Sequence, residues 1–388
     1  MNKRVKKALI TTGAVIGTFI LIAGGYVGYI FLSYKRIGNR VLSVQRKSEL
    51  EEVSIGTVYK AMSYNIGFGA YSQDYTFFLD EGYDENGHKT CGYYSTAKSE
   101  KEVVFNTRGA IATALESEAD FIFFQEVDTD STRSYHLNQD KEIMRAYPMY
   151  DHVHAVNFHT AFLPYPLYDM HGEVHAGLTT ISKYQIQSAY RHQYTIADDF
   201  SKIFDLDRCF SSHVINVQGG KKLYIVNSHM TAYSSNAELI RKKQSAELQT
   251  FLDAVKAEGN YAIVGGDWNH DLLTYNPDFA YTPELGHRPF DETKKTPDWM
   301  SNFFDETGVA LIKDGYKVIA SDNYPTCRNN DITWQPGKTF TCVVDGFIVS
   351  ENIEIVSHEN IQTKQGNKGL DGFAFADHDP ATITFRLL

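Results

Sequence analysis

The apolar positions of this chain fall into two kinds of run: one long uncharged stretch near the start, and a series of short ones that each stop at a polar residue. Residues 8–32 are twenty-five in a row without a charge, with Lys3, Arg4, Lys6 and Lys7 before them and Lys35 and Arg36 after. As a helix rising 1.5 Å per residue they suffice to cross a hydrocarbon core of about 30 Å. A cleaved signal peptide has an apolar core of only ~7–15 residues before a small-residue cleavage site, so the stretch predicts an uncleaved anchor. The short runs, at 58–64, 121–124, 178–181, 214–217, 223–227, 261–264, 343–349 and 381–388, predict buried strands. Apolar residues at helical spacing (Val103, Val104, Ile111, Leu115) predict a helix over 102–119 that feeds the 121–124 strand. A second helix starts from a cap at Ser235 or Asn236, carries Leu239, Ile240, Leu248, Leu252 and Val255, and ends near Ala257 with Gly259 closing it. Segments 67–101, 152–175 and 276–331 are polar and aromatic and predict loops over one face. The expected organisation is a basic tail (1–7), an anchor (8–32), a charged stalk (33–56) and one α/β domain over 57–388.

Composition changes this picture in two ways. Four of the 37 basic residues and none of the 48 acidic ones precede residue 33, leaving 33 basic against 48 acidic, a net charge of −15 on residues 33–388. That balance disfavours broad adhesion to nucleic acid or anionic lipid, although a local basic cleft on an acidic body is compatible with either as substrate. Cys91, Cys209, Cys327 and Cys342 have no C-x-x-C spacing, which leaves free thiols or one disulfide in an exported domain. The basic residues on the two sides of the anchor nearly balance; the expected orientation is N-terminus inside and the domain outside.

The chemistry sits where the strands stop. Asn65 ends the 58–64 run, Glu126 ends 121–124, His229 ends 223–227, and Asp267 and Asn269 follow Gly265-Gly266 at the end of 261–264. Asp377-His378-Asp379-Pro380 precedes the last run, and Asp345 lies inside 343–349. A strand-end glutamate suits a hard cation such as Mg²⁺, which takes oxygen ligands and needs only one or two protein carboxylates; on its own it is ordinarily a surface charge. Gly, Asp and Asn together are ordinarily a turn, and most of fourteen histidines are ordinarily hydrogen-bonded and inert. A neutral imidazole at His378 can take a proton from water if an acid orients its other nitrogen, and Asp345, a charge within a strand run, needs such a partner.

Taken in order, Ser63-Tyr64-Asn65, Gln125-Glu126, Asn227-Ser228-His229, Gly266-Asp267-Trp268-Asn269, Asp345-Gly346-Phe347-Ile348-Val349 and Ala376-Asp377-His378-Asp379-Pro380 resemble the motifs of the endonuclease/exonuclease/phosphatase superfamily. The resemblance covers residues 57–388. It implies an αββα four-layer sandwich, DNase I-like (α+β), behind an N-terminal transmembrane helix. It implies metal binding by Glu126, Asn65 and Asp377, with Mg²⁺ or Mn²⁺ as cofactor. It further implies His378 as general base oriented by Asp345, Asp267 positioning the nucleophile or assisting the leaving group, and Asn269 and His229 on the phosphoryl oxygens. Superfamily nucleases of the abasic-site type carry an acid two residues after the first asparagine, where this chain has Gly67; His229 instead resembles the branch of DNases and sphingomyelinases. A loose match over 177–183 adds the middle strand, and Asp207-Arg208 offers either a phosphate contact or an ordinary salt bridge.

The substrate rests on the loops. Residues 158–175 gather Phe158, Phe162, Leu163, Tyr165, Leu167, Tyr168 and Met170 with two prolines, which predicts a surface that dips into lipid or, alternatively, a satellite core. His152, His154, His159, His171 and His175 are scattered surface histidines or a transition-metal site. The leading expectation is a metal-dependent hydrolase of a membrane-proximal or lipid-linked phosphoester, of sphingomyelinase, phospholipase C or phosphatase type, anchored in the cell membrane with its domain outside. The alternatives are a surface-anchored nuclease, for which no dense basic run lies near the motifs, and a non-catalytic binding protein of the same fold. No protein partner is legible.

Overall fold

In the computed structural model, residues 2–33, 35–84, 87–198, 207–232, 236–274, 301–304, 310–366 and 369–388 are described. The uncharged stretch is helical from Lys3 to Ser33 (α1). Two short strands follow, β1 (Arg40–Leu42) and β2 (Glu52–Val53), before the first buried run forms β3 (Val58–Asn65). A small hairpin of β4 (Glu81–Tyr83) and β5 (Lys89–Cys91) leads to α2 (Glu100–Glu116), which Ser99 caps by accepting a hydrogen bond from Glu102 N at 3.3 Å. Then come β6 (Phe121–Asp128), α3 (Gln139–Ala146), β7 (Asp151–Leu163), β8 (Gly172–Ser182), β9 (Ile186–Gln193), β10 (Cys209–Val217) and β11 (Lys222–His229). The second predicted helix is α4 (Ala237–Ala257), with Asn236 at its N-cap; Ser235 lies outside the described residues. After β12 (Tyr261–Asp267) the chain adds β13 (Tyr316–Ile319), β14 (Cys327–Arg328), β15 (Thr341–Cys342), β16 (Asp345–Ser350), β17 (Ile353–Asn360) and β18 (Ala381–Leu387).

Two sheets carry the fold. One runs β1-β9-β10-β11-β12-β16-β13, with β2 on β10, and the other β17-β18-β3-β6-β8-β7. Their inner faces meet in a core of Tyr59, Phe121, Phe123, Ile225, Ile263, Phe347 and Phe385. Helix α4 covers the outer face of the first sheet through Leu248, Leu252 and Val255, and α2 and α3 cover that of the second through Ala110, Ile111, Ala114 and Ile143. This is the four-layer αββα arrangement that the motifs imply. Each sheet has a parallel pair whose strands are joined through a helix, β3 with β6 and β11 with β12, and β2 adds a short parallel pairing to β10. The ends of β3, β6, β11 and β12 therefore lie along one edge of the sandwich.

Three expectations need correction. Segment 33–56 is not a free stalk: β1 pairs with β9 and β2 with β10, and the Asp151 carboxylate accepts from Lys47 N and Ser48 N at 2.7 and 2.9 Å. Val53 and the partly buried Leu42 and Val44 give this charged segment enough apolar surface to dock. Segment 152–175 is not a loop but most of the β7–β8 hairpin, whose register runs from Asp151↔Ser182 to Leu163↔Gly172. Its alternating buried residues, Val153, Ala155, Val174 and Ala176, set that register. Segment 276–331 carries strands β13 and β14 among its described residues; residues 276–300 and 305–309 lie outside them.

Candidate active site

Strand register assembles the polar cluster. His229, Asp267 and Asp345 stand side by side on β11, β12 and β16, while Asn65 ends β3 in the opposite sheet and the 376–379 segment enters β18 beside it. Beneath them an amide pair joins the sheets: Gln125 Nε2 donates to Asn227 Oδ1 at 2.8 Å, and Asn227 Nδ2 donates to Phe124 O at 3.1 Å. Both side chains are fully buried, so this contact fixes how the two edges face each other.

Above that floor, Asp267 is the hub. Its Oδ2 accepts from Asn65 Nδ2 at 3.0 Å and lies 3.3 Å from His229 Nε2, while its Oδ1 accepts from Asn269 N at 2.9 Å. Burial pushes the Asp267 carboxyl up, but the imidazoles of His378 and His229 and these donors outweigh it and hold the group well below the usual carboxylate range. His378 Nδ1 is 2.7 Å from Asp345 Oδ2, which leaves Nε2 facing the hub, 3.7 Å from Asp267 Oδ2. Burial opposes charge on His378, yet Asp345, Cys327 and Asp267 raise it well above an ordinary histidine. Asp345 is itself pushed up by burial, with His378 pulling it back.

A second acidic centre lies alongside. Glu126 stands at a β-bulge between Phe124 and Val127, at φ 53°, and its Oε1 is 3.4 Å from Asn65 Nδ2. A bulge re-aims a side chain at the cost of local strain. Asp377 Oδ2 accepts from Asn330 Nδ2 at 2.9 Å, whereas its Oδ1 is buried with no hydrogen-bond partner. Burial raises Asp377 to about 7, Glu126 adding to the rise and His378 opposing it. A buried, unsatisfied carboxylate oxygen beside a second carboxylate is a donor set that fits a hard divalent cation. Asp267, Asp345 and His378, within 4.8 Å of one another, also meet metal-binding spacing, but their atoms are already largely taken by the bonds above. Asn65 presents nitrogen here: Gly67 N donates to its Oδ1 at 2.9 Å, which fixes the amide with Nδ2 toward the carboxylates. Gly67 is required at its place, since a Cβ there would lie 2.5 Å from Tyr71 Cδ2 and 2.8 Å from Asp377 Oδ1 at φ +50°. The acid of abasic-site enzymes has no room in this chain.

A cavity of about 560 Å³ opens onto the cluster. Asn269 lines it and donates one amide hydrogen to Met230 O at 2.9 Å, leaving the other for a ligand. His229 lines it too, lowered by burial and by Arg208. Two arginines were not singled out as firmly by sequence. Arg208 is a buried wall residue, as the Asp207-Arg208 pattern allows, while Asp207 pairs with Arg36 and His159 instead. Arg328 was missed: its Nη2 donates to Ser72 O at 3.1 Å, and its Nε and Nη1 are buried without partners next to Asp377. It stands in a two-residue strand with no apolar run to announce it. The histidines of 152–175 are individually engaged. His152 and His154 contact Asp140, His171 contacts Ser95 O, and His175 contacts Glu173; none belongs to a metal-spaced group among the described residues.

The family model for the Endonuclease/Exonuclease/phosphatase family matches residues 62–342. The chain belongs to this family. Its members hydrolyse phosphoester bonds and are generally dependent on divalent metal. No curated protein matches the sequence. Among solved structures, the D. rerio TDP2 complex with single-strand DNA product is similar at 12% identity and TM-score 0.50, over 85% of this chain and 99% of that one. ANGEL2, a 2',3'-cyclic phosphatase in complex with adenosine-2',3'-vanadate, is similar at 14% and TM-score 0.50, over 89% and 98%. An endonuclease/exonuclease/phosphatase from Bacteroides vulgatus is similar at 14% and TM-score 0.47, over 86% and 100%. The two likenesses at TM-score 0.50 bear on the fold alone.

Proposed function

We propose that this family member is a divalent-cation-dependent hydrolase of a membrane-proximal, lipid-linked phosphoester, held at a membrane by α1. The observation that carries the reading is that one cavity is lined both by the polar cluster and by an apolar wall that includes Tyr26 of α1, a helix with a window of mean hydropathy 1.9 and no buried share over that window.

His378 accepts the proton of the attacking water at Nε2, because Nδ1 is given to Asp345. Asp267, kept ionised, positions that water as an acceptor; an anion so strongly stabilised is poorly placed to protonate a leaving group. Asn65 and His229 hold Asp267 in place. Asn269, Arg208 and Arg328 supply donors for the phosphoryl oxygens. Glu126 and Asp377 hold the cation, for which Mg²⁺ is the first choice and Mn²⁺ the second. When bound, the cation would supply charge that keeps Asp377 ionised, lowers the proton affinity of His378 and offsets the charge gathering on the phosphoryl oxygens.

This assignment sets a pH dependence. Asp377 is raised in the cation-free protein, so it favours folding at low pH, and that contribution is lost as pH rises from about 4 through about 7. A cation competes with that proton, so apparent affinity should climb by up to about tenfold per pH unit below 7. Thermal melts with and without Mg²⁺ should therefore separate more at pH 8 than at pH 6, and Glu126→Ala should need more Mg²⁺ to reach the same separation. Melts equally separated at both pH values would remove Asp377 from the cation site.

The substrate test is Mg²⁺-dependent hydrolysis by the full chain in mixed micelles against sphingomyelin, glycerophospholipids, phosphoinositides, duplex DNA and RNA, with His378→Ala as the blank. Cleavage of a lipid that the blank leaves intact is expected. Cleavage of nucleic acid alone would make this a surface nuclease with the same cluster.

A further inference from the structure

The apolar part of the cavity is lined by the segment before β4 and by two elements, α1 and the β7–β8 hairpin, that also have reason to meet a bilayer. Phe78, Leu79, Leu163, Pro164 and Tyr165 line it together with Tyr26 of α1, and the Tyr26 hydroxyl donates to Phe162 O at 2.7 Å. Ile30, one turn on, is buried at 3% exposure, whereas Phe19 and Leu21 stand at 71% and 77%. Only the last turns of α1 are docked. The eighteen uncharged residues 8–25 before Tyr26 rise about 27 Å, close to the thickness of a hydrocarbon core of about 27–30 Å. Tyr26 and Tyr29 then fall at the headgroup level that tyrosines favour, and the cavity rim falls there with them.

The chain after α1 prevents that rim from swinging away. Arg36 Nη1 pairs with Asp207 Oδ1 at 2.6 Å, the same oxygen accepts from Ile37 N at 3.2 Å, and Arg191 Nη1 donates to Ile37 O at 2.6 Å. The hairpin tip continues the apolar surface outward, with Leu167 77%, Tyr165 67% and Met170 41% exposed. Arg133, which also lines the cavity, is held by both Asp128 oxygens and lies 3.8 Å over the Phe68 ring. A wall so poor in available cations suits hydrocarbon better than a nucleotide chain.

We propose that the space between α1 and the β7–β8 hairpin binds the hydrocarbon chain of a phospholipid whose phosphoester lies at the His378 cluster, taken up sideways from the leaflet in which α1 ends; this rests on the hydrolase reading above. The anchor is thus one wall of the substrate site.

The test uses the full chain in phosphatidylcholine vesicles that contain a phosphatidylcholine with a photoactivatable acyl chain, with EDTA present so that binding is read without turnover. Labelling is expected on Tyr26 and on residues of the hairpin tip, and Leu163→Ser and Tyr165→Ser should each weaken it. With Mg²⁺, the same variants should lower the ratio of kcat/KM for long-chain over short-chain phospholipid by about tenfold, the scale of a lost apolar contact in a pocket. Phe19→Ala, on the exposed face of α1, should leave the ratio unchanged. Label spread along the exposed face of α1 with none on the hairpin, or an unchanged ratio in Leu163→Ser and Tyr165→Ser, overturns this inference while long-chain hydrolysis by the parent keeps the proposed function standing. No phospholipid hydrolysis by the parent overturns both.

Discussion

Replacing His378 by alanine is expected to lower turnover of the phosphoester by about 10³-fold or more, which is within the range for removing a positioned general base. The two other imidazoles that line the cavity are engaged elsewhere, His229 with Asp267 through Nε2 and His171 with Ser95 O through Nδ1. Folding should survive. The loss leaves Asp345 buried without its imidazole, but burial already pushes that carboxyl up to about 6, so it can take a proton and become neutral. A cost of about 1 kcal/mol would move Tm by roughly 1–2 °C for a domain of this size. Turnover within tenfold of the parent, in a variant whose melt confirms folding, would remove His378 from the base role.

Asp267→Asn is expected to be nearly as severe, at about 10³-fold in kcat, through a different route. The amide keeps the shape, but its nitrogen must take either the Oδ2 place, facing Asn65 Nδ2 and His229 Nε2, or the Oδ1 place, facing Asn269 N, so that donor meets donor where an acceptor stood. The hub then loses both its charge and part of its bonding. Because Asp267 raises His378, its removal should also shift the acid limb of the kcat/KM profile to lower pH. Stability has the opposite sign to that of Asp377. A carboxyl held low contributes above about pH 4 and loses that contribution as pH falls, so parent and variant should melt further apart at pH 7 than at pH 3. An unshifted acid limb would mean that Asp267 and His378 do not share the site electrostatically.

The parts of this fold that could be read from sequence are those buried on both faces. Strands β3, β6, β11 and β12 lie between a helix layer and the opposite sheet, so their apolar runs are unbroken and the polar residue that ends each one stands out. This exposed Asn65, Glu126, His229 and Asp267 as a set. What sequence hid depends on register or on a local departure from it. The bulge that turns Glu126 leaves no mark on composition. The β7–β8 edge hairpin mixes buried valines and alanines with histidines that satisfy one another through Asp140, so its alternation reads as a polar loop. Segment 33–56 docks by backbone pairing and a few small apolar side chains, and charged residues dominate its pattern. Arg328 owes its role to burial beside Asp377, which only the folded chain supplies.

The strap from Arg36 to Val53 has a kinetic meaning. A catalytic body on a loose tether samples a hemisphere of solution and responds to bulk concentration. One whose Asp207 and Arg191 bond Arg36 and Ile37, just after α1, would move only as α1 moves, and within a plane if α1 is embedded as proposed. Under the proposed lipid-hydrolase reading its encounter rate would be set by two-dimensional diffusion, and saturation should follow the mole fraction of substrate in the surface rather than the amount of lipid in the tube.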